Sequence, residues 1–212
     1  MKKAAIFDLD GTLLNTLESI AFCGNTALEH FNIDTIPVSV YPRFIGKGAP
    51  WLMEQVYKYA NITTVGFEDF CGYYMQIYNK YGNSNITPYT NIFELLDKLK
   101  ELGIKCAVLT NKPHNIAIEV CEHYFKDKFD FVYGHREGVA KKPDPFMLFE
   151  LMKELGVSAD ECVYCGDSEV DVITANKAGV TMLGASWGFY GKEQFDNADA
   201  ILDDPLDLIK YI

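Results

Sequence analysis

The sequence predicts an α/β protein built as a Rossmann-like, doubly wound parallel sheet with an inserted helical cap. After residue 90, short apolar runs alternate with amphipathic segments along the chain. The first apolar run ends at Phe7, and the long stretch that follows it contains only helical patterns. Polar, reactive residues follow several of the apolar runs, so the carboxyl edge of the sheet is the expected site.

The strands are expected where the apolar runs are short and do not alternate, as in parallel strands covered on both faces. The first strand ends at Phe7, just before Asp8. The later strands are expected over 104–110, 129–133, 162–166, 180–184 and 200–202. The connections between successive parallel strands are expected to be right-handed.

Two of the helices expected between these strands have clear boundaries. One is expected over 92–102, where leucines recur at helical spacing, with Asn91 as the cap and Gly103 as the stop. Another is expected to begin near Pro145 and to end at Gly156.

Residues 16–82 interrupt the alternation of strands and helices. They predict a separate helical domain, with helices over 17–31, 50–59 and 67–81. The main domain is then residues 1–15 plus 83–212, and the glycine and asparagines of 82–85 are the expected hinge. The many aromatic residues in 51–81 are interpreted as the core of a small bundle rather than as a substrate pocket.

Composition excludes several classes of function. The net charge of −11 argues against nucleic acid or an anionic membrane surface as a partner, because both bind clustered lysine and arginine.

The amino-terminal apolar run stops at Asp8 and is too short for a signal peptide, so a cytoplasmic protein is expected. Cys162 and Cys165 form a C-x-x-C without partners at zinc spacing, and we interpret them as buried thiols.

The most informative segment is Phe7-Asp8-Leu9-Asp10-Gly11-Thr12. Asp8 and Asp10 are two residues apart at the end of a strand, so their side chains are expected to point the same way. At ~4 Å and an effective dielectric of ~20, two carboxylates repel by about 4 kcal/mol. A cation must lie there or one acid must stay protonated, and Mg2+ is the natural candidate because it prefers oxygen ligands.

Other chemically useful residues occur at the ends of later strands: Thr110 and Asn111, then Lys142, then Asp167, Ser168 and Asp171. Each has a structural alternative. Thr110 could bond only to backbone, Lys142 could be a solvated charge, and Ser168 with Asp171 could be a capping box. Their recurrence on successive strand-end loops favours one shared site.

Together these segments resemble the four motifs of the haloacid dehalogenase superfamily, and within it the phosphoglycolate phosphatase-like hydrolases. The motifs are Asp8 to Thr12, Thr110-Asn111, Lys142-Pro143, and 166–171. The later Ser186-Trp187-Gly188-Phe189 also reads like that subgroup. The resemblance covers essentially the whole chain, including the helical insert.

The resemblance implies a magnesium-dependent phosphatase that acts on small phosphate monoesters. Asp8 would be the nucleophile that forms an aspartyl-phosphate, and Asp10 the general acid and base. The metal ligands would be Asp8, the backbone carbonyl of Asp10, and Asp167. The phosphoryl group would be held by Gly11, Thr110, Asn111 and Lys142, and Asp171 and Ser168 would be supporting residues.

The insert would close over the site as a lid. Within it, Arg43, Gly46 and Lys47 are the candidates for contact with the substrate, and a glycine-containing turn with solvated charges is an equal alternative. A phosphosugar mutase of the same fold, a receiver-like phosphoacceptor module and a degenerate binding protein are the other interpretations. The expected partner is a small phosphorylated metabolite, and the protein is expected to be a monomer or dimer.

Overall fold

The computed structural model describes residues 1–212, which divide into two compact units. The first unit is Met1–Asn15 with Pro88–Ile212, and the second is Thr16–Thr87. Two short strands, β1 (Ala4–Phe7) and β2 (Leu14–Asn15), precede the second unit. The sequence predicts that the first unit resumes at residue 83, whereas in the structure it resumes five residues later, at Pro88.

The second unit is helical and contains the expected bundle. Its helices are α1 (Leu17–His30), α2 (Ala49–Tyr59) and α3 (Phe67–Tyr81), with a 3-10 helix at Val38–Phe44. Phe70, Tyr74 and Tyr78 lie on one face of α3 and are buried. These three aromatic residues therefore pack as core, as the sequence indicated, whereas Tyr59 and Phe67 are 53% and 42% exposed.

The remaining elements belong to the first unit, apart from Thr87 in the short strand β3. In chain order they are β3 (Thr87–Pro88), α4 (Ile92–Glu101), β4 (Lys105–Pro113), α5 (His114–Phe125), β5 (Phe131–His135), α6 (Phe146–Leu155), β6 (Cys162–Gly166), α7 (Glu169–Ala178), β7 (Thr181–Ala185) and β8 (Ala200–Leu202). Three further 3-10 helices are Ala159–Glu161, Lys192–Gln194 and Pro205–Tyr211.

Six parallel strands form the main sheet in the order β5-β4-β1-β6-β7-β8. The chain builds outward from β1 on one side and then returns to build outward on the other, which is the doubly wound order. The expected fold class is confirmed. Because β4, β1 and β6 are neighbours, the residues that follow them meet at one edge of the sheet.

Both faces of the sheet are covered. Ala4 and Ile6 of β1 pack with α6 and α7 in a buried cluster that also contains Leu109 and Tyr164. Ala5 and Phe7 point to the opposite face and are also fully buried. This double burial explains why the strand sequences are apolar without alternation.

Two local expectations differ from the structure. The fourth strand runs to Pro113 rather than ending at Thr110, because pairing with β5 resumes at Pro113 and His135 after an irregularity. Asn91 does not cap α4 through its side chain: its amide instead donates to Asp204 at 2.6 Å. The expected stops at Gly103 and Gly156 are correct, since both glycines have a positive φ.

The core of the first unit can be tested on α6. Leu151 is fully buried against the sheet, whereas Phe149 on the same helix is 47% exposed. We expect Leu151→Ala to lower the free energy of unfolding by about 2–5 kcal/mol, because it leaves a cavity. Urea denaturation measures the change, and Phe149→Ala is the matched control, expected to cost much less. Equal losses in the two variants would contradict this assignment of the core.

Candidate active site

Two strand ends and the first turn of α7 bring the acidic residues together. Asp8 follows β1, and its backbone N–H donates to the carbonyl of Cys165 on β6 at 2.9 Å, so the pairing of the two strands continues into the site. Asp167 follows β6 directly and is buried. Asp8, Asp167 and Asp171 can each place one carboxylate oxygen within 4.8 Å of the others.

Lys142 lies among these carboxylates and is buried, so the solvated-surface alternative is wrong. Its Nζ lies 3.0 Å from Oδ1 of Asp8 and 2.7 Å from Oδ1 of Asp171. It also lies 3.0 Å from the hydroxyl of Tyr164, which projects from β6. The lysine therefore joins the loop before α6 to β1, β6 and α7.

Asn111 fixes the loop that carries Lys142. Its Nδ2 donates to the carbonyl of Lys142 at 3.0 Å, and its Oδ1 accepts from the N–H of Lys142 at 3.0 Å. This two-way contact uses both ends of the amide. The structure therefore shows Asn111 holding the backbone of Lys142, a contact that the sequence did not indicate.

Asp171 is surrounded by donors. Its Oδ1 accepts from Lys142 and from Tyr164 at 3.0 Å, and its Oδ2 accepts from the backbone N–H of Ser168 at 3.1 Å and its hydroxyl at 2.5 Å. The capping box of Ser168 and Asp171 at the start of α7 is confirmed. Asp171 thus has a structural role in addition to its contact with Lys142.

Asp10 lies apart from this network and has its own cation. The Nζ of Lys112, on β4, lies 3.1 Å from Oδ1 of Asp10. The side chain of Lys112 is 1% exposed and that of Asp10 is 15% exposed. Sequence alone does not distinguish Lys112 or Tyr164 as site residues, because only the register between strands shows which side chains they reach.

Close backbone packing fixes Asp167. A Cβ added at Gly11, where φ is 87°, would lie 2.1 Å from Oδ2 of Asp167, and one at Gly188 would lie 2.3 Å from its Cβ. The N–H of Phe189 donates to Oδ2 of Asp167 at 2.9 Å. Glycine at positions 11 and 188 therefore lets the two loops close around this carboxylate.

The electrostatics of the site reflect an excess of acids. Burial, together with the charges of Asp171 and Asp8, raises the pKa of Asp167 well above its usual range. Burial raises the pKa of Asp8 to about 7, although Lys142 opposes that change. Burial alone would lower the pKa of Lys142, but the carboxylates of Asp171 and Asp8 outweigh it and raise that pKa.

The chemistry of these donors fits a divalent cation. The hydrogen bonds of Asp8 involve Oδ1, those of Asp167 involve Oδ2, and the second oxygen of each is available to a ligand. Asp171 is less suited, because both of its oxygens already accept two hydrogen bonds. Buried carboxylate oxygens with raised pKa values are the kind of site that a hard cation stabilises.

The other predicted residues are placed as follows. Thr110 is buried on β4, and its Oγ1 accepts from the N–H of Lys112 at 3.2 Å. Arg43, Gly46 and Lys47 belong to the second unit, where Lys47 lies 4.7 Å from the ring centroid of Trp51. Their part in substrate contact stays a prediction. Cys162 and Cys165 are free and buried, as expected.

The chain is similar to known proteins over most of its length. Residues 5–185 match the model of the haloacid dehalogenase-like hydrolase family. A phosphoglycolate phosphatase of Haemophilus influenzae is 32% identical over 97% of this chain and 96% of its own. One of Mannheimia succiniciproducens is 33% identical over 97% and 96%.

Solved structures show the same fold. A predicted phosphoglycolate phosphatase from Haemophilus somnus aligns with a TM-score of 0.91 and 28% identity, covering 99% of this chain and 97% of its own. A predicted phosphatase from Clostridium acetobutylicum aligns with a TM-score of 0.85 and 27% identity, covering 100% and 98%. The chain belongs to the haloacid dehalogenase-like hydrolase family and is an enzyme of that class.

The excess of acids generates a test of the site. We expect Asp167→Asn to raise the metal-free stability at pH 8 by on the order of 2 kcal/mol, because it removes a carboxyl group whose charged form is disfavoured by burial and by the nearby Asp171 and Asp8. Asparagine keeps an oxygen that can accept from Phe189. Thermal and urea unfolding measure the effect, and the exposed Asp196→Asn is the control. Added Mg2+ should stabilise the wild type more than Asp167→Asn, and the reverse order would contradict this metal site.

Proposed function

We propose that the protein is a magnesium-dependent phosphatase that hydrolyses small phosphate monoesters through an aspartyl-phosphate on Asp8. One observation carries the proposal: the buried Nζ of Lys142 lies 3.0 Å from Oδ1 of Asp8, beside the carboxylate of Asp167. The family and the names of the relatives supply the reaction class.

Asp8 must be ionised to attack phosphorus, yet its burial favours the protonated form. Lys142 opposes that effect and offsets the negative charge of the nucleophile as a negatively charged phosphate approaches. The attacking oxygen forms a bond to phosphorus while the bond from phosphorus to the leaving oxygen breaks.

Asp10 is the proposed general acid. Its carboxyl proton moves to the leaving oxygen, which departs as the alcohol. In the second half of the reaction, the resulting carboxylate takes a proton from water as the water oxygen bonds to phosphorus and the bond to Asp8 breaks. Inorganic phosphate is released, and both aspartates return to their starting states.

Thr110 and Lys142 are the proposed phosphoryl-binding side chains. Because Oγ1 of Thr110 accepts from the N–H of Lys112, the hydroxyl proton is left to donate to a phosphate oxygen. Asn111 acts through its hold on the backbone of Lys142. Gly11 is proposed to let the phosphate approach the backbone closely.

Asp8, Asp167 and the backbone carbonyl of Asp10 would hold Mg2+. When bound, the ion would neutralise charge on the phosphoryl oxygens and orient that group. Gly11, which packs its backbone against Asp167, supports the inclusion of the adjacent Asp10 carbonyl.

The proposed substrates are small phosphorylated metabolites, and phosphoglycolate is the first to test because of the names of the relatives. The helical unit is proposed to act as a lid, with Arg43, Gly46 and Lys47 contacting the non-reacting part of the substrate. None of the helices combines the length and the hydropathy that a membrane-spanning helix requires. A cytoplasmic location and a monomer or dimer stay predictions.

The nucleophile is tested by Asp8→Asn, which keeps the shape and loses the charge. We expect magnesium-dependent release of phosphate from p-nitrophenyl phosphate by the wild type, loss of that activity with EDTA, and a folded but inactive variant. Incubation with glucose 1-phosphate and a bisphosphate primer separates hydrolysis from transfer between sugar hydroxyls. Substantial turnover by Asp8→Asn would exclude Asp8 as the nucleophile.

The charge of Lys142 is tested by Lys142→Ala. We expect the rate to fall by at least ~10²-fold, the scale for removing one preorganised charge partner. Steady-state kinetics measure the loss, circular dichroism confirms folding, and the neighbouring Lys141→Ala is the control. A rate near that of the wild type would remove Lys142 from the mechanism.

A further inference from the structure

A second buried lysine, Lys112, has no role in the mechanism described so far. Its Nζ lies 3.1 Å from Oδ1 and 3.4 Å from Oδ2 of Asp10, so it contacts both oxygens of one carboxylate. The side chain of Lys112 is 1% exposed. Removing a lysine charge from water is costly unless a carboxylate compensates it, so the pair is a specific feature of this site.

The backbone of β4 holds Lys112 tightly. The N–H of Lys112 donates to Oγ1 of Thr110, within the irregular stretch between Leu109 and Pro113. On the other side, a Cβ added at Gly134 of β5 would lie 2.7 Å from the carbonyl oxygen of Lys112. Contacts with β4 and β5 therefore fix the backbone of Lys112, and its side chain extends from there to Asp10.

The surroundings of the pair are poorly solvated. Cys121 of α5 is buried. Burial, together with the charge of Asp10, raises the pKa of its thiol to about 12, whereas Lys112 opposes the rise. In such an environment, a cation at 3.1 Å interacts with a carboxylate more strongly than in water.

We propose that Lys112 is a positioning residue for Asp10 that also stabilises the negative charge developing on Asp10 during proton donation. This inference rests on the proposed function. As the proton leaves Asp10 for the leaving oxygen, the carboxyl group becomes a carboxylate, and Lys112 is already in contact with it. Lys112 neither gains nor loses a proton in this step.

The consequence is a dependence on the leaving group. A phosphate ester with a poor leaving group needs the proton from Asp10, whereas nitrophenolate departs readily without one. Loss of Lys112 should therefore slow esters of poor leaving groups selectively. A lysine that only stabilised the fold, or only bound the phosphate, would affect all esters alike.

The experiment uses the complete chain with Mg2+ and a series of substituted phenyl phosphates from p-nitrophenyl to unsubstituted phenyl. For Lys112→Met we expect kcat/KM to fall by about threefold or less with p-nitrophenyl phosphate and by about tenfold or more with phenyl phosphate. The exposed Lys98→Met, which also removes a lysine paired with a carboxylate, should leave the series unchanged.

A double-mutant cycle gives the second measurement. In the Asp10→Ala background, Lys112→Met should change kcat/KM by less than about twofold, because the group through which it acts is gone. Lys112→Gln serves for both measurements if Lys112→Met does not fold. A wild type that hydrolyses none of the aryl phosphates refutes the proposed function itself.

With an active wild type, two results overturn the role of Lys112 alone. One is an equal loss of kcat/KM along the whole series. The other is a loss confined to phosphoglycolate and absent from the aryl esters, which would make Lys112 a contact for the substrate carboxylate instead.

Discussion

The site depends on one buried cation, Lys142, and on the carboxylates that compensate it. Its Nζ contacts Asp8 on one side and Asp171 on the other. A lysine buried without such partners would be strongly disfavoured. The strand end that carries Asp8 and the helix that carries Asp171 must therefore be in place for the lysine to be buried. The burial of Lys142 and the assembly of the site therefore depend on each other.

The same cluster carries more negative charge than Lys142 can balance. Asp8, Asp167 and Asp171 converge on it, and the pKa values of Asp8 and Asp167 are raised. Such an arrangement does not serve stability, since neutral residues would pack there at less cost. It does prepare the chain for a divalent cation, which would turn an acid-rich site into one that attracts a phosphate. The excess of buried carboxyl groups thus accounts both for the lower stability and for the proposed chemistry.

Much of this could be predicted from sequence, and the rest could not for definite reasons. The fold class followed from strand and helix patterns, and the capping box of Ser168 and Asp171 from spacing along one helix. The contacts of Lys112, Tyr164 and Asn111 depend on which strands are neighbours and in which register, which a single sequence does not specify. Asn91 occupies the N-cap position of α4 without a side-chain cap, because its backbone is left-handed (φ 66°) rather than extended as in a side-chain N-cap.

Two buried lysines compensate the two aspartates of the first motif, Asp8 and Asp10. Two aspartates two residues apart must avoid mutual repulsion, and the sequence alone suggested a metal for that purpose. The structure shows that each aspartate also has its own buried lysine, Lys142 for Asp8 and Lys112 for Asp10. The proposed nucleophile and the proposed proton donor thus contact lysines of different elements, the loop before α6 and the strand β4. Because the two carboxyl groups contact different lysines, a change of charge at one of them leaves the cation of the other in place.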